Sequence, residues 1–163
     1  MLAEQVFTQE GRRYVRGAKT NKCNFAYLEM PQIQGDAGRL RMRAHFTGQA
    51  ALNLIGQCVG MGDAFDVTIT ATPVYKGGAI GLQEVKVASD GKASYYIRKV
   101  CAAMESSLSR DFKYPLERDT QWLLENPGVH PQYKREVRKF NVPELRVTND
   151  ALVLAVDFEM TIK

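Results

Sequence analysis

The stretch ASYYIRKVCAAMESSLSRDF, residues 93–112, is the one long segment whose apolar residues recur at helical spacing. Steps of three and four residues would gather seven of its side chains into one stripe on a helix. They are Ala93, Ile97, Val100, Cys101, Met104, Leu108 and Phe112. Because the flanking segments alternate as strands do, the pattern predicts an α+β fold, in which a strongly curved antiparallel sheet wraps one long helix, with one or two shorter helices.

The composition indicates a single domain spanning residues 1–163. A chain of 163 residues with 45% apolar residues can bury a core without cross-links. Its net charge of +4 is spread along the chain, which argues against a nucleic-acid partner. The sequence also lacks the apolar runs of a secretory signal and of a membrane-spanning helix.

Period-two alternation predicts the strands. Residues 39–47 alternate most cleanly, with apolar side chains on one face and Arg39, Arg41, Arg43 and His45 on the other. The longest alternating set lies in residues 151–162, for which we predict a central strand paired in a hairpin with residues 143–147.

Other segments are predicted from turn and breaker residues. An edge strand over residues 23–33 is expected because Pro31 cannot donate to a β-ladder. Residues 49–62 are predicted to form one bent strand at three glycines, followed by a turn at Asp63 and Ala64. A hairpin is expected at residues 75–78, with a β-bulge near Gln83.

Two shorter helices complete the prediction. Leu2, Val6 and Phe7 lie close together on one face of a candidate first helix over residues 2–16. Pro115 suits the first turn of another, which ends before residues 126–128.

Three cysteines, Cys23, Cys58 and Cys101, leave an odd count without CxxC spacing. This spacing disfavours a metal site, and the expectation is three buried free thiols. The alternative is a bond between Cys23 and Cys58, because both lie in predicted strands while Cys101 belongs to the helix stripe.

No catalytic motif is present. The glycine-rich residues 56–63 match neither dinucleotide nor phosphate-loop patterns, and His45 and His130 have no partner at metal-ligand spacing. We therefore expect no cofactor, no metal and no enzymatic activity. The arginines at 39, 41 and 43 form a solvated face in the simplest interpretation, and contact anionic lipid headgroups in the alternative.

Residues 23–163 resemble a tubular lipid-binding domain, the superfamily that includes the bactericidal/permeability-increasing protein. The resemblance rests on GRLRMRAHFTG, a glycine-broken strand, FDVTITATPVY, ASYYIRKVCAAMESSL and ALVLAVDFEMTIK. It implies a curved sheet around a long helix, an apolar channel for lipid and no catalytic residues. It also implies a periplasmic or cell-envelope setting, and one lobe or an excised domain of a longer protein.

The residues and the resemblance together predict a non-enzymatic binder of a lipid or another hydrophobic ligand, with transient membrane contact as a further expectation. The predicted ligand-binding residues are Ile97, Val100, Cys101, Met104, Leu108, Leu154, Val156 and Phe158. The first alternative is a structural or interaction domain with a packed core, including a homodimer. The second is an enzyme that acts on an acyl compound.

Overall fold

The computed structural model describes residues 10–91, 94–126, 134–149 and 151–163. In these ranges the backbone forms strands in two antiparallel sheets, together with two helices. The elements in chain order are β1 (Arg12–Arg16), β2 (Asn24–Asp36), β3 (Arg39–Leu54), β4 (Gln57–Lys76), β5 (Ala79–Ser89), α1 (Tyr95–Asp111), α2 (Leu116–Glu125), β6 (Arg135–Val147) and β7 (Leu152–Ile162).

The predicted fold class is wrong, because strands dominate the molecule. They contain 62% of the described residues and the helices 19%, and no long helix is present. Helix α1 lies inside the predicted segment, where the Ser94 hydroxyl caps it by accepting from the Ile97 N–H at 3.3 Å. Its 17 residues span about 25 Å, whereas the 20 residues of β4 span about 65 Å. The sheet therefore extends far beyond the helix.

The five-stranded sheet has the order β1-β2-β3-β4-β5 and curls around one face. Two-residue turns join β2 to β3, β3 to β4 and β4 to β5. Both central residues of each turn have positive φ, as type I′ hairpins require; the pairs are Ala37–Gly38, Ile55–Gly56 and Gly77–Gly78. The hairpin predicted at residues 75–78 is thus confirmed.

Strand β2 is internal over its first part and lies at an edge over the rest. β1 pairs only with Ala26 to Glu29, and β2 bulges between Glu29 and Gln32. Pro31 lies in this bulge, where a missing N–H costs no ladder bond. The prediction that residues 23–33 form an edge strand is therefore confirmed only for the part beyond Glu29. The bulge predicted near Gln83 is confirmed, because the β4–β5 register shifts there and Glu84 has positive φ.

Helix α1 packs directly on the inner face of the curled sheet. Its buried side chains are Ile97, Cys101 and Met104. The strand side chains that form one cluster with them include Leu28, Ala44, Phe46, Phe65, Val67 and Ile69. The apolar stripe predicted from the sequence thus forms part of a packed core.

Strands β6 and β7 form a separate two-stranded sheet, so the prediction that the last strand lies centrally is wrong. None of their described side chains is fully buried. The sheet is tied to the larger one by the Gly35 N–H, which donates to the Asn149 carbonyl at 2.9 Å. It is tied to α2 by the Val137 N–H, which donates to the Glu125 carboxylate at 2.9 Å.

Two other predictions fail. Residues 49–62 form the two arms of the β3–β4 hairpin, and Asp63 and Ala64 continue β4 in place of a turn. The first-helix prediction is wrong for residues 12–16, which form β1, and its residues 1–9 lie outside the described ranges.

Cys23 and Cys58 form a disulfide bond, with their Cα atoms 5.2 Å apart. The expectation of three free thiols is therefore wrong and the alternative is confirmed, whereas Cys101 is free and buried. Asn24 reinforces the same connection, since its side-chain amide donates to the Ala51 carbonyl at 2.7 Å and accepts from the Ala51 N–H at 3.2 Å. The beginning of β2 is thus clamped to the β3–β4 hairpin.

Candidate functional site

A groove of about 300 Å³ lies between α1 and strands β1, β2 and β3. It exists because α1 makes its main sheet contact with β5, at the far edge, and so leaves space toward β1 and β2. Most of the lining is apolar, including Val15, Phe25, Phe46, Val100, Ala103 and Met104. An apolar groove with a few polar groups has the composition of a small-molecule site.

Two guanidinium groups border this groove, one on each side. Arg16 comes from β1 and Arg110 from the last turn of α1. The Arg110 Nε and Nη2 atoms donate to the Asp111 carboxylate at 2.7 and 2.8 Å, which raises the pKa of Arg110 and lowers the pKa of Asp111. Among the described residues, no carboxylate pairs with Arg16. Because Asp111 offsets the charge of Arg110, Arg16 supplies the net positive charge at the rim of this mostly apolar groove.

Gly48 decides the position of the Phe46 ring in the groove wall. A Cβ atom on Gly48 would lie 2.7 Å from Phe46 Cζ, closer than real Cβ contacts come. The ring can lie over β3 only because residue 48 has no side chain. There it also packs against Phe65, with ring centroids 4.9 Å apart.

A second, smaller space lies near the end of α1. Its volume is about 80 Å³, and its lining is almost entirely apolar. The side chains around it include Leu28, Ile33, Leu40, Met42, Leu108 and Phe112. This volume accommodates a few methylene groups and falls well below the roughly 300 Å³ at which ligand sites begin.

The structure brings together only part of the predicted ligand-binding set. Ile97 and Cys101 are buried in the core, Val100 and Met104 line the groove, and Leu108 lines the smaller cavity. The other three predicted residues, Leu154, Val156 and Phe158, lie on β7 in the separate sheet. The β7 strand is not the opposite wall of the space beside α1.

The arginine face predicted on β3 is present, but each arginine has a partner. Arg39 Nη2 donates to the Glu84 carbonyl at 2.8 Å, Arg41 lies 3.5 Å from the Asp36 carboxylate, and Arg43 lies 3.0 Å from the Asp90 carboxylate. The Asp36 and Asp90 carboxylates offset the charges of Arg41 and Arg43, whereas Arg39 bonds to a neutral backbone carbonyl. Contact with anionic headgroups at this face stays a prediction.

Sequence reasoning missed the strand side of the groove, including Val15, Arg16 and Phe25. The strand order decides which of these side chains face the helix, and alternation along one strand does not encode that order. The β3–β4 hairpin tip was also missed, although a signal was available: residues 46–62 contain no charged side chain.

Over the described ranges, no cluster of three or more His, Cys, Asp or Glu side chains is arranged to hold a metal ion. Neither helix in those ranges has the length and apolarity to cross a bilayer. Comparisons with protein-family models, with curated proteins and with solved structures find no match to this chain.

Proposed function

We propose that this protein binds a single-chain anionic amphiphile, such as a fatty acid, without catalysing a reaction. The observation that supports the proposal is the groove of about 300 Å³ between α1 and β1–β3, with apolar walls and Arg16 and Arg110 at its rim. Burial of a hydrocarbon chain contributes about 0.8 kcal/mol per methylene group. A carboxylate at the rim interacts favourably with the Arg16 guanidinium group, whereas Arg110 is already paired with Asp111.

The size of the groove supports binding of a ligand with one hydrocarbon chain and not with two. About 300 Å³ is the lower limit of the range of small-molecule sites, which reaches roughly 1,000 Å³. Met104 in the wall is flexible, and Ala103 is small, so the groove can adapt to chains of different shape. This activity agrees with that of the tubular lipid-binding domains that the sequence resembles.

The test is titration of the delipidated protein with palmitate, measured by isothermal titration calorimetry. Ala103→Trp fills the groove from an exposed helix position. It is expected to weaken palmitate binding about 4- to 15-fold, which corresponds to the loss of one or two buried methylene groups. Ala102→Trp is the matched control, since Ala102 is also exposed but does not line the groove. Equal affinities of the two variants would contradict the proposal.

The substitution Arg16→Ala separates the contribution of the ligand's carboxylate to binding from that of its hydrocarbon chain. Palmitate binding is expected to weaken, whereas binding of the uncharged hexadecanol is expected to stay unchanged, because only the carboxylate interacts with the guanidinium group. If Arg16→Ala weakened both equally, the rim would have a structural and not an electrostatic role.

A second candidate function is a protein-interaction domain, favoured by the β6–β7 sheet. This sheet buries none of its described side chains fully, and Phe158 and Ile162 on β7 are exposed. An apolar strand face of this kind is typical of an interface. Sedimentation equilibrium of the wild type and of Phe158→Ser tests it, since an interface through β7 predicts an oligomer that the substitution dissociates.

A further inference from the structure

The β3–β4 hairpin carries the core face of the sheet out into solvent. Its register is unbroken from Leu40–Ala71 to Leu54–Gln57, so the residues that face the core continue along the same side to the tip. On that side, Leu52 lies opposite Val59, and Ala50 lies opposite Met61. The face that packs under α1 at Phe46 thus becomes an unpartnered apolar face beyond residue 50.

The large side chains of this face are well exposed: Leu52 by 71%, Met61 by 69% and the tip residue Ile55 by 105%. Leu54 and Val59 are exposed beside them. From Phe46 to Gly62 the chain contains no charge. A contiguous, uncharged apolar surface of this kind marks a site of contact with another apolar surface.

The disulfide holds the hairpin close to its tip, because Cys58 pairs with Asn53, next to the last pair Leu54–Gln57. It lies on the opposite face of the sheet from Leu52 and Met61, and Asn24 adds two bonds to the backbone of Ala51. From Asn53, level with the disulfide, to Ile55 at the tip, the chain rises about 7 Å. The headgroup region of a bilayer leaflet is about 5 to 8 Å thick, so the tip reaches the upper end of the acyl chains.

The tip residue is unfavourable for the isolated fold. Ile55 adopts a φ of 50°, a left-handed conformation that β-branched residues rarely adopt and for which Asn is preferred in this turn. The equivalent position of the β2–β3 turn holds Ala37, also at positive φ but without a branched side chain. An exposed, strained isoleucine gives the folded monomer no packing, which points to a role for the side chain outside the monomer.

Two cationic residues lie beside the hairpin. Lys22 adjoins the disulfide, level with Asn53 near the tip, and Arg16 lines the groove together with Ala50. Asp63 is the acidic residue in the hairpin arm at this level, opposite Gly48. An apolar tip flanked by mainly cationic residues is complementary to an anionic lipid surface.

We infer that the β3–β4 hairpin docks the protein on anionic bilayers, with Ile55 at the upper end of the acyl chains and with Leu52, Lys22 and Arg16 at the level of the headgroups. This inference does not depend on whether the groove holds a ligand. The occupant is a lipid surface, because the charge beside the hairpin matches anionic headgroups.

The experiment is co-sedimentation of the disulfide-bonded full chain with phosphatidylcholine vesicles, with and without phosphatidylglycerol. Wild type is expected to bind the phosphatidylglycerol vesicles more tightly. Ile55→Asn is expected to lower that binding at least about tenfold by removing one buried apolar side chain. It is also expected to raise the Tm by about 2 to 4 °C by relieving the strain in the turn.

Ala37→Asn is the matched control, because it makes the same turn replacement at the opposite end of β3. It should raise the Tm by less than Ile55→Asn does, because Ala37 has no branched side chain, and it should bind vesicles as wild type does. Leu52→Ser, at an exposed position with ordinary strand geometry, should weaken binding without the rise in Tm. Wild-type vesicle binding by both tip variants would overturn the inference, as would wild-type protein that sediments with neither vesicle. A wild-type dimer that Ile55→Asn dissociates would equally overturn it in favour of a second copy as the occupant.

Discussion

The backbone N–H of Val87 on the edge strand β5 donates to the Glu105 carboxylate of α1, with N and Oε1 2.8 Å apart. A free strand edge invites pairing with another chain, and a helix side chain here occupies one of its donors. The Tyr114 backbone pairs with Ile80 further along the same edge. Together these contacts occupy part of the free edge of β5.

Replacement of Glu105 by Ala is expected to lower the free energy of unfolding by about 1 to 3 kcal/mol. The substitution leaves the N–H of the buried Val87 without its charged acceptor. Urea unfolding followed by circular dichroism measures the change. Glu105→Gln is the control, because its amide oxygen can still accept the bond, and a loss as large as that of Ala would contradict the explanation.

Loss of the disulfide is expected to destabilise the protein by about 3 to 4 kcal/mol. The bond closes a loop with a sequence separation of 35 residues, and the chain-entropy relation gives this magnitude for such a loop. Urea unfolding of Cys23→Ser/Cys58→Ser against wild type tests the value. Reductant should lower wild-type stability and leave the double variant unchanged.

Gly48→Ala is expected to weaken palmitate binding and to lower stability by about 1 to 3 kcal/mol. Its Cβ would meet the Phe46 ring at 2.7 Å, so the ring must move from its place in the groove wall. Calorimetry and urea unfolding measure the two effects. At Gly81, also in a strand and without positive φ, an added Cβ would find its nearest neighbour at 3.8 Å, so Gly81→Ala should leave palmitate binding unchanged.

Stability at alkaline pH is expected to depend on Cys101. Burial raises the pKa of its thiol above the ordinary value of 9.0, and Glu105 nearby adds to the rise. The unfolded chain therefore loses this proton first, and the stabilisation present below pH 9.0 is lost as the pH rises toward the folded-state pKa. Cys101→Ala removes this contribution, so the stability difference between wild type and variant should shrink above pH 9.0. A difference independent of pH would contradict the assignment.

Local features of this chain were predictable because they depend on neighbouring residues. The three-and-four spacing located α1, the Gly77–Gly78 pair located one turn, and Pro115 located α2. The alternation in residues 151–162 correctly indicated a strand. The same alternation could not show that β7 pairs only with β6, since the choice of partner depends on residues distant in sequence.

The sequence by itself thus determined the positions of most strands and helices, and the uncharged run from Phe46 to Gly62. Only the tertiary structure decided that this run is a projecting hairpin clamped by Cys23–Cys58, and that α1 leaves a groove toward β1 and β2. The physical reason is that periodicity reports which side of an element is apolar, whereas strand order and sheet curvature determine what that side meets. The apolar side of α1 meets a packed sheet, whereas the apolar side of the β3–β4 hairpin tip meets solvent.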